Sequence, residues 1–261
     1  MALAYDDYDD HHGAGGGNCV LLIHGHPFDR TLWDPQAAAL RESFRVLVPD
    51  LRGFGRSPVT PGRVTMREFA ADIEELLDGL GVARAAVVGL SMGGLVTMEL
   101  ASARPERYWA LALVATTAEP PSPDDRRIRY ERAAAIERDG MSVLVDYMHT
   151  GLYGPACPPA VRARVDAMMA AAPPAGAAAA LRGRGERPDY RPLLARLDIP
   201  ALVLAGTADP WSTAAVTAEI AASLQAPELA VIDGAGHLPN LEAEAEFNDV
   251  LLAFLRAHAP G

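Results

Sequence analysis

Residues 85–94 read Ala85-Ala86-Val87-Val88-Gly89-Leu90-Ser91-Met92-Gly93-Gly94, and the fold turns on how the pattern changes inside this stretch. Ala85 to Val88 is a short apolar run containing β-branched residues, the signature of a buried strand. From Met92 to Arg104 the spacing is helical, and Pro105 ends it. Ser91 therefore falls on a strand-to-helix turn, with Gly89 and Gly93 flanking it at i−2 and i+2. So tight a turn strains the backbone of its central residue and leaves no room for side chains at the flanking positions. In return the serine hydroxyl is lifted clear of the sheet's C-terminal edge, with a helix N-terminus aimed at it.

Strands and helices alternate outward from that point. Cys19–Ile23 is a buried strand that leaves through His24-Gly25-His26-Pro27-Phe28-Asp29, and residues 32–43 have helical content. Val46-Leu47-Val48 is a second strand running into the glycine-punctuated turn Pro49–Pro58. Thr65-Met66-Arg67-Glu68 is a capping box. The helix behind it repeats apolar residues at Phe69, Ile73, Leu76, Leu77 and Leu80, and Gly81 stops it. Leu111–Val114, Ala201–Leu204 and Leu229–Ile232 read as further strands, and 213–224 and 243–257 as helices. Ala2–Tyr5 is a candidate short strand, followed by a polar loop over 6–18. The His11-His12 pair in that loop has no further ligand spacing and reads as solvated.

This alternation predicts an α/β fold: a mostly parallel, twisted sheet with helices on both faces. The rhythm breaks between Glu119 and Pro192, where Arg- and Ala-rich helical patterns are interrupted at Gly140, at 151–159 and at Pro173-Pro174. The expected organisation is a core of residues 1–118 and 193–261, with 119–192 inserted as a helical lid over the sheet's C-terminal edge. Ligands bind along that edge in open α/β sheets.

A formal charge of −11 argues against nucleic acid or an anionic membrane as partner and leaves a small molecule. All 23 basic residues are arginine, which removes Schiff-base chemistry, pyridoxal phosphate anchoring and a phosphate-loop lysine. No cofactor or metal is expected. Cys19 and Cys157 are too few for a disulfide framework and fit free thiols in a reducing compartment. The acidic N-terminus lacks an apolar leader, and residues 167–181 are too short and too proline-broken to span a membrane, so the expected location is cytoplasmic.

A serine hydroxyl needs a base to take its proton and a third group to orient that base. Of the 7 histidines, His237 follows the last strand in the glycine-rich loop Asp233–Pro239, which can carry an imidazole over the sheet edge toward Ser91. Asp209 leaves the preceding strand and is the expected acid, with Glu119 as the alternative. The backbone amides of His26 and Met92 are the expected donors to a tetrahedral oxyanion.

With serine, acid and histidine in this order, the chain resembles the α/β-hydrolase superfamily over nearly its whole length. The resemblance rests on His24–Pro27, Asp50–Ser57, Gly89–Gly94, Gly206–Asp209 and Gly236-His237. Arg187-Pro188-Asp189 through Leu193-Leu194, Ile199-Pro200 and Leu238–Glu242 are similar to 3-oxoadipate enol-lactonases and related esterases and perhydrolases. The resemblance implies a serine hydrolase that cleaves a small ester or lactone through an acyl-enzyme. Relatives with the same triad also act as lyases, cyclases, perhydrolases and carbon–carbon hydrolases, and a non-catalytic ligand receptor is the remaining alternative. Two departures stand out. Only one strand precedes Cys19 where the superfamily usually has two, and His26 stands where an aromatic or apolar residue is usual. The latter is read equally as a surface residue or a substrate contact. Arg126, Arg127, Arg129, Arg182, Arg184 and Arg187 in the insertion read as solvated unless one points at Ser91.

Overall fold

A computed structural model describes residues 1–9 and 18–261; the His11-His12 pair lies outside the described residues. Seven strands form one sheet in the order β1-β3-β2-β4-β5-β6-β7. They are β1 (Tyr5–Tyr8), β2 (Cys19–Ile23), β3 (Arg45–Pro49), β4 (Ala85–Leu90), β5 (Tyr108–Val114), β6 (Ala201–Gly206) and β7 (Pro227–Ile232). Only β1 is antiparallel, and the rest run parallel. β2, β4, β5 and β6 are buried along their whole length, as strands covered on both faces must be.

Between strands lie α1 (Asp34–Leu40), α2 (Met66–Gly79) and α3 (Met92–Ala103). Thr65 and Glu68 form the expected reciprocal cap at the start of α2, and Phe69, Ile73 and Leu77 press its apolar stripe into the core. The chain then inserts α4 (Pro123–Asp139), α5 (Ser142–Met148), α6 (Pro159–Ala171), α7 (Pro174–Arg184) and α8 (Arg191–Leu194) between β5 and β6. α9 (Ala214–Ala222), α10 (Pro239–Glu242) and α11 (Glu244–His258) complete it. The crossover from β2 to β3 runs one way and that from β3 to β4 the other. Right-handed connections therefore put α1 on one face and α2 on the opposite one.

That reversal matters for function. Ile23 is level with Gly89 across β2 and β4, so the loops leaving these two strands stand side by side where the strand order switches. In open α/β sheets this crevice is the ligand site.

The first strand departs from expectation. It lies at Tyr5–Tyr8 rather than Ala2–Tyr5, pairing Asp6 with Val48 and Asp7 with Leu47. Its alternate residues are exposed, and ion pairs hold it: Arg30 to Asp6 at 2.6 Å and Arg45 to Asp7 at 2.7 Å. The sheet is thus closed at that edge by a strand whose hydrophobic signal is weak.

α7 sits directly on the core. A Cβ at Gly176 would overlap Gly53 O and one at Gly183 would overlap Val64 O, so the helix rests on bare backbone at both points. Ala177 to Ala180 between them are fully buried.

Candidate active site

Ser91 has φ 55° and ψ −111°, a conformation that side chains rarely adopt. Packing enforces it. A Cβ on Gly89 would overlap Gly93 O and Thr97 Oγ1, and one on Gly93 would overlap Ile23 O. The Ser91 amide continues the ladder to Val114 O at 2.8 Å, while Thr116 Oγ1 donates to Ser91 O at 2.7 Å. The turn is pinned on both sides.

Two further strand ends converge on it. His237 Nδ1 donates to Asp209 Oδ2 at 2.7 Å, and Asp209 Oδ1 accepts from the Trp211 amide at 2.8 Å. Burial pushes the Asp209 carboxyl up, but the His237 charge and the amides of Trp211 and Ser212 outweigh it and hold the group below the usual carboxylate range. Ser91 and His237 line one cavity of about 390 Å³. Among the described residues, Ser91 Oγ and His237 Nε2 are hydrogen-bonded neither to each other nor to a third group. Glu119 also lines the cavity, yet its carboxylate is exposed and reaches Arg191 at 3.4 Å rather than His237.

The His24–Pro27 loop is the other wall. A Cβ on Gly25 would stand 3.1 Å from Leu90 O and 3.3 Å from Ser91 Cβ, so this loop lies against the sharp turn, or elbow, at Ser91. Neither the His26 amide nor the Met92 amide, first in α3, bonds to another described residue. Both are free donors beside Ser91. His24 Nδ1 donates to Gly25 O at 2.8 Å and its Nε2 accepts from the Leu51 amide at 3.0 Å, which ties the loop to the Asp50–Ser57 turn. His26 is not a surface residue, and it lines the Ser91 cavity. It is 3 % exposed, and Nε2 donates to Ala177 O of α7 at 2.9 Å. Burial, then the charge of Arg184, pushes its imidazole down to about 3.

Trp211, Tyr147 and Arg132 carried no sequence signal. Trp211 meets the His237 ring edge-on at 4.9 Å and stacks on Tyr147 at 5.9 Å; Arg132 covers Tyr147 at 3.3 Å. Glu242 accepts from the amides of Gly154, Gly236 and Leu238 at 2.7, 3.1 and 3.3 Å, and the His237 amide bonds Leu152 O at 2.9 Å. One carboxylate thus joins the insertion to the histidine loop.

Of the insertion's arginines, Arg126, Arg127 and Arg182 are ion-paired on its outer surface, with Glu186, Glu131 and Glu137. Arg129, Arg184 and Arg187 line the cavity. Arg187 donates to Glu119 O at 2.9 Å and Arg184 O at 3.0 Å, and burial pushes its guanidinium down to about 10.

A wider depression of about 660 Å³ lies between α2 and α3 and shares no residue with the Ser91 cavity. Two of its acids are ion-paired, Asp78 with Arg104 and Glu74 with the neighbouring Arg107. Among the described residues, no group of three or more His, Cys, Asp or Glu could hold a metal, and no helix is long and apolar enough to cross a membrane. Both thiols are free and buried, Cys19 pushed up to about 12 and Cys157 to about 11.

The family model of the alpha/beta hydrolase fold matches residues 18–244. The chain belongs to that family. It is 30% identical over 232 residues to 3-oxoadipate enol-lactonase 1 of Acinetobacter baylyi, covering 88% of this chain and 85% of that one. Among solved structures, a malate-bound thermophilic esterase from Thermogutta terrifontis is 37% identical, with a TM-score of 0.94 over 99% of this chain and 94% of its own. The enol-lactonase from Burkholderia xenovorans LB400 is 30% identical, with a TM-score of 0.89 over 97% and 96%. Within the superfamily the chain stands close to enol-lactonase- and esterase-like members, and family-level hydrolytic chemistry on small substrates comes with that membership.

Proposed function

We propose that this protein is a serine hydrolase that cleaves a small ester or lactone by way of an acyl-enzyme. The observation that carries the reading is the 2.7 Å bond from His237 Nδ1 to Asp209, in a histidine that shares a cavity with a strained, unengaged Ser91. With the proton fixed on Nδ1, Nε2 is the free base. It takes the Ser91 proton as Oγ bonds the acyl carbon, and the imidazolium so formed is stabilised by the Asp209 carboxylate. The His26 and Met92 amides receive the negative charge on the former carbonyl oxygen. Collapse expels the alkoxide, which leaves with the proton from His237. Water then attacks the acyl-enzyme by the same route and restores Ser91. A lactone gives one hydroxy acid instead of two products.

Residues 119–192 act as the lid in this reading, supported by the cavity's being lined from α4, α5 and α7 on one side and strand ends on the other. The test is labelling of the folded protein by a fluorophosphonate, with the adduct mapped to Ser91 and absent in Ser91→Ala, together with turnover of 4-nitrophenyl esters. Folded protein that neither labels nor turns over any ester would overturn it.

A further inference from the structure

The chain carries 34 acidic residues against 23 arginines, yet some of the arginines have no carboxylate partner among the described residues. Arg129 on α4 and Arg184 at the end of α7 are such residues. Both line the cavity that holds Ser91, neither makes a side-chain hydrogen bond or ion pair among the described residues, and the Nε of each is shut off from solvent with no acceptor. Neighbours on the same helices behave differently: Arg126 and Arg182, on the outer side, have found Glu186 and Glu137. Because every basic residue here is an arginine, the residue type argues nothing. Position does.

We propose that Arg129 and Arg184 form an anion-binding subsite that receives a carboxylate carried by the substrate, remote from its scissile ester. This rests on the site being the ester-cleaving one proposed above. Asp125 is a competing acid in the same cavity. Its charge reaches Arg129, but its own Oδ2 caps α4 through the Ser122 amide and hydroxyl, so it is held on the helix end and does not bond either guanidinium. Arg187 contributes less, since its nitrogens already bond Glu119 O and Arg184 O. Burial, then the charges of Arg129 and Arg187, holds the Arg184 guanidinium well below its usual range, the state that a bound anion would relieve. The charge of Arg184 reaches the His26 imidazole, and both residues line the same cavity. A half-buried guanidinium whose Nε is shut off from water without an acceptor is costly, and a planar carboxylate accepting its paired N–H groups is the complement that satisfies it.

The experiment compares kcat/KM for mono(4-nitrophenyl) esters of linear dicarboxylic acids with that for neutral 4-nitrophenyl alkanoates of the same chain length. It uses the full chain, Arg184→Met, Arg129→Met and, as a control, Arg127→Met on the outer surface. The wild type should prefer the charged ester. The ratio of charged to neutral kcat/KM should fall roughly 30-fold or more in each cavity variant and stay put in Arg127→Met. Glutarate, measured by its shift of the thermal midpoint, should stabilise the wild type and not the cavity variants; this arm needs no catalysis. Equal use of both esters with a ratio unmoved by Arg184→Met overturns the subsite while leaving the hydrolase reading intact. Turnover of neither ester, with glutarate still bound through Arg184, overturns the hydrolase reading alone. Turnover of neither, with no glutarate effect, overturns both.

Discussion

Asp209→Asn puts the greatest demand on the proposed chemistry, because the surrounding hydrogen bonds dictate how the amide must sit. Asp209 takes N–H donors on both oxygens: Trp211 on Oδ1 at 2.8 Å and His237 Nδ1 on Oδ2 at 2.7 Å. Asparagine has one oxygen. The Trp211 amide is fixed backbone and cannot turn away, so the side-chain oxygen must face it and the NH2 must face His237. Nδ1 then becomes the acceptor and the ring proton moves to Nε2, the nitrogen required to take a proton from Ser91. The flipped alternative sets NH2 against the backbone donors and is worse. The acceleration that depends on the correct tautomer is lost in either case. In serine hydrolases at large it is about 10⁴-fold, or roughly 5.5 kcal/mol. Steady-state hydrolysis of a 4-nitrophenyl ester, well below the melting temperature, should show this fall in kcat with KM changed only a few-fold. Glu119→Gln, which alters an exposed carboxylate paired with Arg191, should lose less than tenfold. An Asp209→Asn enzyme within tenfold of the wild type, or a Glu119→Gln enzyme that fails alongside it, would refute the assignment of the acid.

Gly93→Ala sets a methyl group against Ile23 O, at a point where neither β2 nor the elbow can retreat. It should lower stability by about 1–3 kcal/mol in thermal or urea unfolding and abolish turnover even where the protein stays folded. His26 is held down to about 3 in the fold and titrates near 6.5 once unfolded, so the unfolded state binds the extra proton between those values. Stability should therefore decline as pH falls from about 6.5 toward 3, and the slope should flatten in His26→Phe; an identical slope in urea titrations at stepped pH would contradict the buried, neutral imidazole. Glu242→Gln can no longer accept from all three amides it now serves. A drop in kcat of about tenfold, together with faster amide exchange at Gly154 and Gly236, is the expected result.

How much of this was legible in the sequence follows from where physics writes in one dimension. The elbow was readable because its period changes within a few residues and because glycines are obligatory where backbone meets backbone. The strands of the middle sheet were readable because burial on both faces makes them continuously apolar. β1 was misplaced by a few residues since its strand carries Asp6 and Asp7, has no buried face to fix its register, and depends on Arg30 and Arg45 from elsewhere in the chain. In the site, Asp209 and His237 follow strands and could be located by position, and they meet at 2.7 Å. The difference between Arg126 and Arg129 could not be seen, because it lies in which way a helix turns. His26 was ambiguous for the same reason: its partner, Ala177 O, is a backbone atom 151 residues away. Glu242 was visible only as part of a familiar string after the histidine.

The seating of α7 on the backbone at Gly53 and Val64 has a consequence for how such an enzyme could be remade. A helix whose underside is glycine and alanine in direct backbone contact has no side-chain layer that can be repacked, so residue changes there translate into displacement of the whole helix. α4 packs on α7 and α5 on α4, and together they supply Arg129, Arg132, Leu144 and Tyr147 to the cavity wall. New substrate ranges are therefore best sought by randomising or grafting residues 123–148, with 174–184 left untouched as the fixed axle on which the exchangeable part is mounted.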